Sequence, residues 1–194
     1  MLPEKGICCA ILAGGKAERL PDKPFLLLNG KPIVSRVIDA ASGFFEGVLI
    51  VSKKEQNEKI MKLTHNKNKI KIIIENSDDF SPWNGIRAAA ENVRAEWIFL
   101  LACDTPFVCV ELFDLLVSKI NPDIDCVIPR TDRLQPLCAL YRRSALANAR
   151  KEGSVTRFAE SLKKKVVQIP EENAFWLFNI NTKEDFEKAE GMIK

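Results

Sequence analysis

Seven short runs along the chain read as strands: residues 7–12, 47–51, 70–74, 97–102, 126–129, 136–141 and 166–169. The first four are apolar at nearly every position, the pattern of parallel strands covered by helices on both faces. Between them the apolar positions recur at helical spacing. Ile33, Val37, Ala41 and Phe44 share one face, as do Trp83, Ile86, Ala90 and Val93, and then Val110, Phe113, Val117 and Ile120. This β-α-β-α alternation predicts an α/β three-layer sandwich, doubly wound around a mostly parallel central sheet. Right-handed crossovers then bring the carboxyl ends of the first and fourth strands to one edge of the sheet, where ligands bind.

The C-terminal third is less regular. Residues 125–130 and 135–141 flank a polar turn at Asp132 and Arg133, and predict a hairpin or an antiparallel edge. Thr182 followed by Asp185 is a capping-box spacing that starts a last helix. No repeat, linker or low-complexity segment divides the chain, so residues 1–194 are expected to form one domain.

The most informative stretch is the first strand together with the loop at its end. The strand runs into Gly14-Gly15, and the cations Lys16, Arg19 and Lys23 come next. Adjacent glycines let a backbone come close to a ligand, and N–H groups with positive side chains can surround a triphosphate. The loop is neither of the common phosphate motifs: Gly15-Lys16 lacks the following Ser or Thr, and three spaced glycines are missing. Its other reading is a tight strand-to-helix turn with solvated charges. Pro24 biases Lys23 toward an extended backbone. So placed, Lys23 can neutralise charge on an α-phosphate while Arg19 holds departing pyrophosphate.

Four further constellations carry chemistry. The apolar fourth strand ends in Asp104, and a lone carboxylate there needs a use for its charge. Mg²⁺ favours one or two carboxylates plus phosphate oxygens, which makes Asp104 the metal-ligand candidate. The alternative is an N-cap for the helix near residues 108–120. Asn179 and Asn181 alternate, so both face one side of an extended segment and can hold phosphate, metal or a heterocycle edge; an ordinary turn before the last helix is the other reading. Asn84-Gly85 near a helix start can bring N–H groups to a base or ribose. Residues 130–136, with Arg130 and Arg133, form a polar lip suited to an anionic second substrate.

Bulk properties narrow the classes. The chain is 46% hydrophobic and 28% charged, which argues against disorder, and a net charge of +3 calls for neither nucleic acid nor an anionic membrane. No apolar run reaches the ~18 residues of a membrane span, and no signal peptide is read at the N-terminus. The basic stretch 62–71 lacks interleaved aromatics and reads as a loop rather than a nucleic-acid site. Six cysteines without a Cys-x-x-Cys pair suggest a reduced, cytoplasmic protein. With His65 the one histidine, zinc and histidine-activated nucleophiles are disfavoured.

Taken in order, Leu12-Ala13-Gly14-Gly15, Arg19, Asp22-Lys23, Asn29 to Pro32, Pro82 with Gly85, Cys103 to Pro106, Gln135-Pro136 with Ala139 to Tyr141, and Phe178 to Thr182 span nearly the whole chain. This set resembles the molybdenum cofactor guanylyltransferase family of GT-A-like, Rossmann-like nucleotidyltransferases. The resemblance implies transfer of GMP from GTP to the terminal phosphate of molybdopterin, with Mg²⁺. It implies that Leu12, Ala13, Gly14 and Gly15 contact the nucleotide by backbone, that Lys23 contacts phosphate and that Asp104 binds the metal. Glu75 stands near the family's nucleotide-holding aspartate. Gln135, Asn179 and Asn181 would face the acceptor. Transient contacts with molybdoenzymes or other cofactor-biosynthesis proteins are also implied. Two departures stand out: Arg19-Leu20-Pro21 replaces Arg-Met-Gly, and Pro82-Trp83-Asn84-Gly85 replaces Pro-Leu-Ala-Gly. Other phosphate acceptors (adenosylcobinamide phosphate or a sugar phosphate), a cytidylyltransferase and a non-catalytic cofactor-binding protein stay open at this point.

Overall fold

The computed structural model of the protein describes residues 6–14, 19–65, 67–77, 81–149 and 153–193. The chain starts with β1 (Ile7–Ala13), a 3-10 turn (Lys23–Phe25) and a small ribbon of β2 (Leu27–Leu28) and β3 (Lys31–Pro32). Then come α1 (Ile33–Phe44), β4 (Val48–Ser52), α2 (Lys54–Thr64), β5 (Ile70–Ile74), α3 (Pro82–Asn92), β6 (Trp97–Ala102) and α4 (Val110–Val117). The last third comprises β7 (Cys126–Arg130), β8 (Cys138–Arg142), α5 (Arg143–Ala147), α6 (Val155–Ser161), β9 (Lys164–Gln168), a second 3-10 segment (Glu171–Leu177) and α7 (Lys183–Met192).

One seven-stranded sheet runs β5-β4-β1-β6-β8-β7-β9. Only β8 opposes its neighbours, β6 and β7; the other pairings are parallel. The side-chain period of two splits β1 between the layers. Cys9, Ile11 and Ala13 pack with α1 and α4, whereas Cys8, Ala10 and Leu12 pack with α3. At the first face Phe44, Phe45, Phe99 and Phe113 form an aromatic nest with centroid spacings of 4.9–5.6 Å. All six cysteines are free, and burial pushes the thiols of Cys8, Cys103 and Cys126 up to about 12.

The strand pattern holds within a residue or two, with instructive exceptions. The edge strand β5 is only partly covered, and Ile74 is 41% exposed, so the run that reads as doubly buried has one free side. In α4 the core face is Leu112, Phe113 and Leu116, while Val110 sits in the first turn, 48% exposed. The helix is apolar on too many sides for spacing to pick its buried stripe. The 126–142 pair is antiparallel, but β8 lies inside the sheet and β9 supplies the edge. The basic stretch 62–71 is not one loop: it holds the end of α2 and the start of β5, and its lysines Lys62, Lys67 and Lys71 contact Glu58, Asp39 and Asn92. Asn29 and Gly30 both take positive φ, +47° and +73°, the turn that an Asn-Gly dipeptide favours between two strands.

Candidate active site

β1 and β6 are hydrogen-bonded neighbours, with Leu12 in register with Ala102 and Cys103 N–H donating to the Leu12 carbonyl at 3.2 Å. Gly14 and the end of the acid-terminated strand therefore meet at the carboxyl edge of the sheet. They open onto a cleft of about 200 Å³, bounded by Leu12, Gly14, Lys23, Glu75, Gly85 and Asp104 among others. Gly15 and Lys16 lie outside the described residues.

Asp104 reaches the cleft because the chain turns after β6: Thr105 Oγ1 donates to the Ala102 carbonyl at 2.8 Å. Its own carbonyl accepts from Ile180 N at 3.0 Å, which staples the C-terminal segment beside it. The carboxylate does not cap α4; Cys109 occupies that position. One oxygen, Oδ2, is 2.7 Å from Lys23 Nζ, with both side chains mostly covered (15% and 17% exposed). The other, Oδ1, is buried and has no hydrogen-bond partner among the described residues. An orphaned, ionisable oxygen of this kind is costly unless a ligand completes it. No cluster of three or more potential metal-binding side chains exists among the described residues. Of the described side chains, Asp104 is the one placed to hold a hard cation here, together with phosphate oxygens and water, a donor set that suits Mg²⁺.

Lys23 is aimed by a turn rather than by an extended backbone, which corrects the expectation from Pro24. Asp22 takes φ +53°, Phe25 N–H closes onto the Asp22 carbonyl at 2.8 Å, and Pro24 sits in the first turn of the 3-10 segment, where its missing N–H costs nothing. Helix α2 braces this turn from outside: Lys59 Nζ is 3.0 Å from both Asp22 oxygens and lies over the Phe25 ring. Lys23 Nζ also donates to Asn181 Oδ1 at 3.2 Å, so the N-terminal lysine, the fourth-strand acid and the C-terminal asparagine form one constellation. Asn181 is held by the predicted capping box, whose Asp185 carboxylate accepts from the N–H groups of Asn181 and Thr182.

Other candidates sit differently. Ala13 is fully buried at the end of β1. Arg19 is exposed, outside the residues that bound the cleft. The Asn179 amide turns back to the Leu177 carbonyl, so the two asparagines do not act as a pair. Gln135 is half-buried and braces the polar lip by backbone hydrogen bonds to Pro129 and Cys138, with Leu137 the neighbour that reaches the cleft. Arg130 is engaged by Gln168.

The opposite wall comes from α3. Ser81 caps that helix, and Gly85 faces Leu12 so closely that a Cβ would lie 3.2 Å from its Cδ2. Trp83 is turned away, packed edge-on against Phe158 and donating to the Gly153 carbonyl, and does not bound the cleft. Glu75 ends the wall. Burial raises its carboxyl, but Lys53 and Ser77 outweigh that and hold it below its ordinary value. Lys53 escaped the sequence reading. Two lysines directly follow an apolar strand, and nothing in their spacing says that the first turns inward.

Residues 9–166 match the MobA-like NTP transferase domain. The chain belongs to the MobA-like NTP transferase family. Within this family it is 32% identical to a molybdenum cofactor guanylyltransferase of Desulfosudis oleivorans, over 95% of this chain and 94% of that protein. A probable molybdenum cofactor guanylyltransferase of Clostridium perfringens is 27% identical over 92% and 93%. The crystal structure of molybdopterin-guanine dinucleotide biosynthesis protein A from Archaeoglobus fulgidus superposes with a TM-score of 0.75 at 26% identity, covering 95% and 97% of the two chains. Fold alone extends further, to a 4-diphosphocytidyl-2C-methyl-D-erythritol synthase of Anaerococcus prevotii at TM-score 0.79 and 15% identity. The MobA-like chain thus has the α/β sandwich that its strand pattern predicts, in the nucleotidyltransferase form that the resemblance implies.

Proposed function

We propose that this nucleotidyltransferase moves GMP from GTP to the terminal phosphate of molybdopterin, releasing pyrophosphate. The observation that carries the reading is the Lys23–Asp104 pair beside Gly14, with the second Asp104 oxygen buried and unpartnered among the described residues. The names of the relatives supply the guanylyl group and the acceptor. In this reading an acceptor phosphate oxygen forms the new bond to the α-phosphorus of GTP, and the bond from that phosphorus to the α,β-bridging oxygen breaks. A phosphate monoester is already anionic, so no protein nucleophile is required. The chain's work is positioning and charge neutralisation.

Lys23 stands where it can leave Asp104 for a phosphate oxygen. Asp104 would hold Mg²⁺, which supplies charge neutralisation on the phosphates when bound. Leu12, Ala13, Gly14 and Gly15 cradle the nucleotide by backbone, Glu75 faces the nucleoside and Arg19 the leaving pyrophosphate. Asn181, with Asn179 and Gln135 beyond it, marks the acceptor side. The whole chain acts as one domain, and six free cysteines fit a cytoplasmic setting. Product passes on through transient contact with other cofactor-biosynthesis proteins or molybdoenzymes.

The test is pyrophosphate release by the purified protein with GTP, molybdopterin and Mg²⁺. Release that requires all three supports the assignment. Release with CTP instead, or with adenosylcobinamide phosphate or a sugar phosphate as acceptor, would reassign the substrates. Tight cofactor binding without turnover would make the chain an accessory protein.

A further inference from the structure

On the side of the cleft away from Lys23 and Asp104, a second ion pair closes the wall. Lys53 follows β4 directly, and its carbonyl accepts the first N–H groups of α2, from Gln56 and Asn57. Its side chain runs the other way, beneath Gly14, where a Cβ would touch Lys53 Cγ at 3.5 Å. The residue is 6% exposed. Its ammonium lies 2.6 Å from Glu75 Oε2 and donates to the Ser77 carbonyl at 2.5 Å. Glu75 Oε1 accepts from Ser77 N–H at 2.6 Å, and Asn84 Nδ2 donates to Ser77 Oγ at 2.7 Å. One clasp thus joins the ends of β4 and β5 to the first turn of α3.

Glu75 bounds the cleft, and Lys53 stands behind it. A carboxylate alone at this place would be costly to bury and would repel a bound triphosphate. A cation behind it relieves both effects. Each carboxylate oxygen also has a second lone pair, so acceptor capacity toward the cleft remains after the clasp is made. The clasp therefore presents a fixed, ionised acceptor whose charge is largely cancelled.

We propose that Lys53 is a positioning residue for the nucleoside half of the site: acting through Glu75, it holds an acceptor against nucleoside N–H or hydroxyl hydrogens and shields the triphosphate from that charge. The proposal rests on the reading of this cleft as the GTP site.

The experiment compares wild type, Lys53→Met, Glu75→Gln and the double variant of the full chain. It measures steady-state kinetics, together with equilibrium titration of GTP and of inorganic tripolyphosphate. Lys53→Met is expected to raise KM and Kd for GTP about tenfold, the scale of a hydrogen bond to a charged group. It should leave kcat within about twofold and weaken tripolyphosphate binding clearly less than GTP binding, because the nucleoside contact is lost on top of the shielding. In the Glu75→Gln background the same change should add little. The near-isosteric Glu75→Gln carries the same comparison of the two ligands if the methionine variant does not fold.

Unchanged GTP affinity, an equal loss for GTP and tripolyphosphate, or multiplying effects in the double variant would overturn the role of Lys53 while leaving the site in place. A wild-type protein with no affinity for GTP would overturn the site, and this proposal with it.

Discussion

Lys23 holds two partners of unlike kind, a carboxylate at 2.7 Å and an amide oxygen at 3.2 Å, and the two ask different things of it. The first pairs the two charges; the second fixes where the ammonium points. Lys23→Met and Asp104→Asn are each expected to lower kcat by about 10²-fold or more in pyrophosphate-release kinetics, the size of effect seen when one preorganised charge is removed. Full turnover in either variant would remove that residue from the chemistry. Glu75 gives a pH signature. Its folded-state pKa is held below the ordinary 4.5, so its contribution to stability is present above that value and is lost as pH falls through the folded-state pKa. Denaturant unfolding of Glu75→Gln, followed downward from about pH 5, should therefore show a shallower loss of stability than wild type. At this scale the sequence exposes what ends an apolar run: Asp104 could be picked out because a charge there has to be explained. Lys53 and the divided behaviour of Asn179 and Asn181 could not, since side-chain direction at a strand exit depends on which neighbour is close, and sequence spacing does not carry that.

Elements were legible where periodicity was unambiguous. β1, β4 and β6 are central and covered on both faces, so their apolar runs are continuous and their ends fall close to where composition changes. α2 went unread because few of its residues meet the core, with Ile60 and Thr64 its buried positions. The place of β8 is a matter of topology: a hairpin pattern says that two strands pair, not which of them also pairs with β6. α7 shows what a short element contributes to a distant site. Its capping box satisfies two N–H groups of the segment that presents Asn181 to Lys23. Thr182→Ala is expected to cost about 1 kcal/mol, lowering Tm by about 2–4 °C in a chain of this size, and Thr182→Ser should recover most of it in thermal denaturation.

For the molecule as a whole, the cleft draws on segments spread from Leu12 to Leu137, and Lys23 extends the site to Asn181, so ligand binding couples to global stability. At roughly 100-fold excess of GTP over its Kd, binding to the native state alone adds about 2.7 kcal/mol, a rise in Tm of about 5–10 °C. The rise should need Mg²⁺ and shrink in Asp104→Asn; an equal rise for CTP, ATP and UTP would speak against a guanine-selective site. The same architecture keeps four of the six thiols out of reach. Cys8, Cys9, Cys126 and Cys138 lie on strands between the helical layers, and their thiols resist ionisation. Because the thiolate is the reactive form, alkylation of these positions has to wait for the sheet to come apart. Mass-spectrometric counting of iodoacetamide adducts therefore times how often the native molecule opens, with no engineered label, and saturating nucleotide should slow that clock.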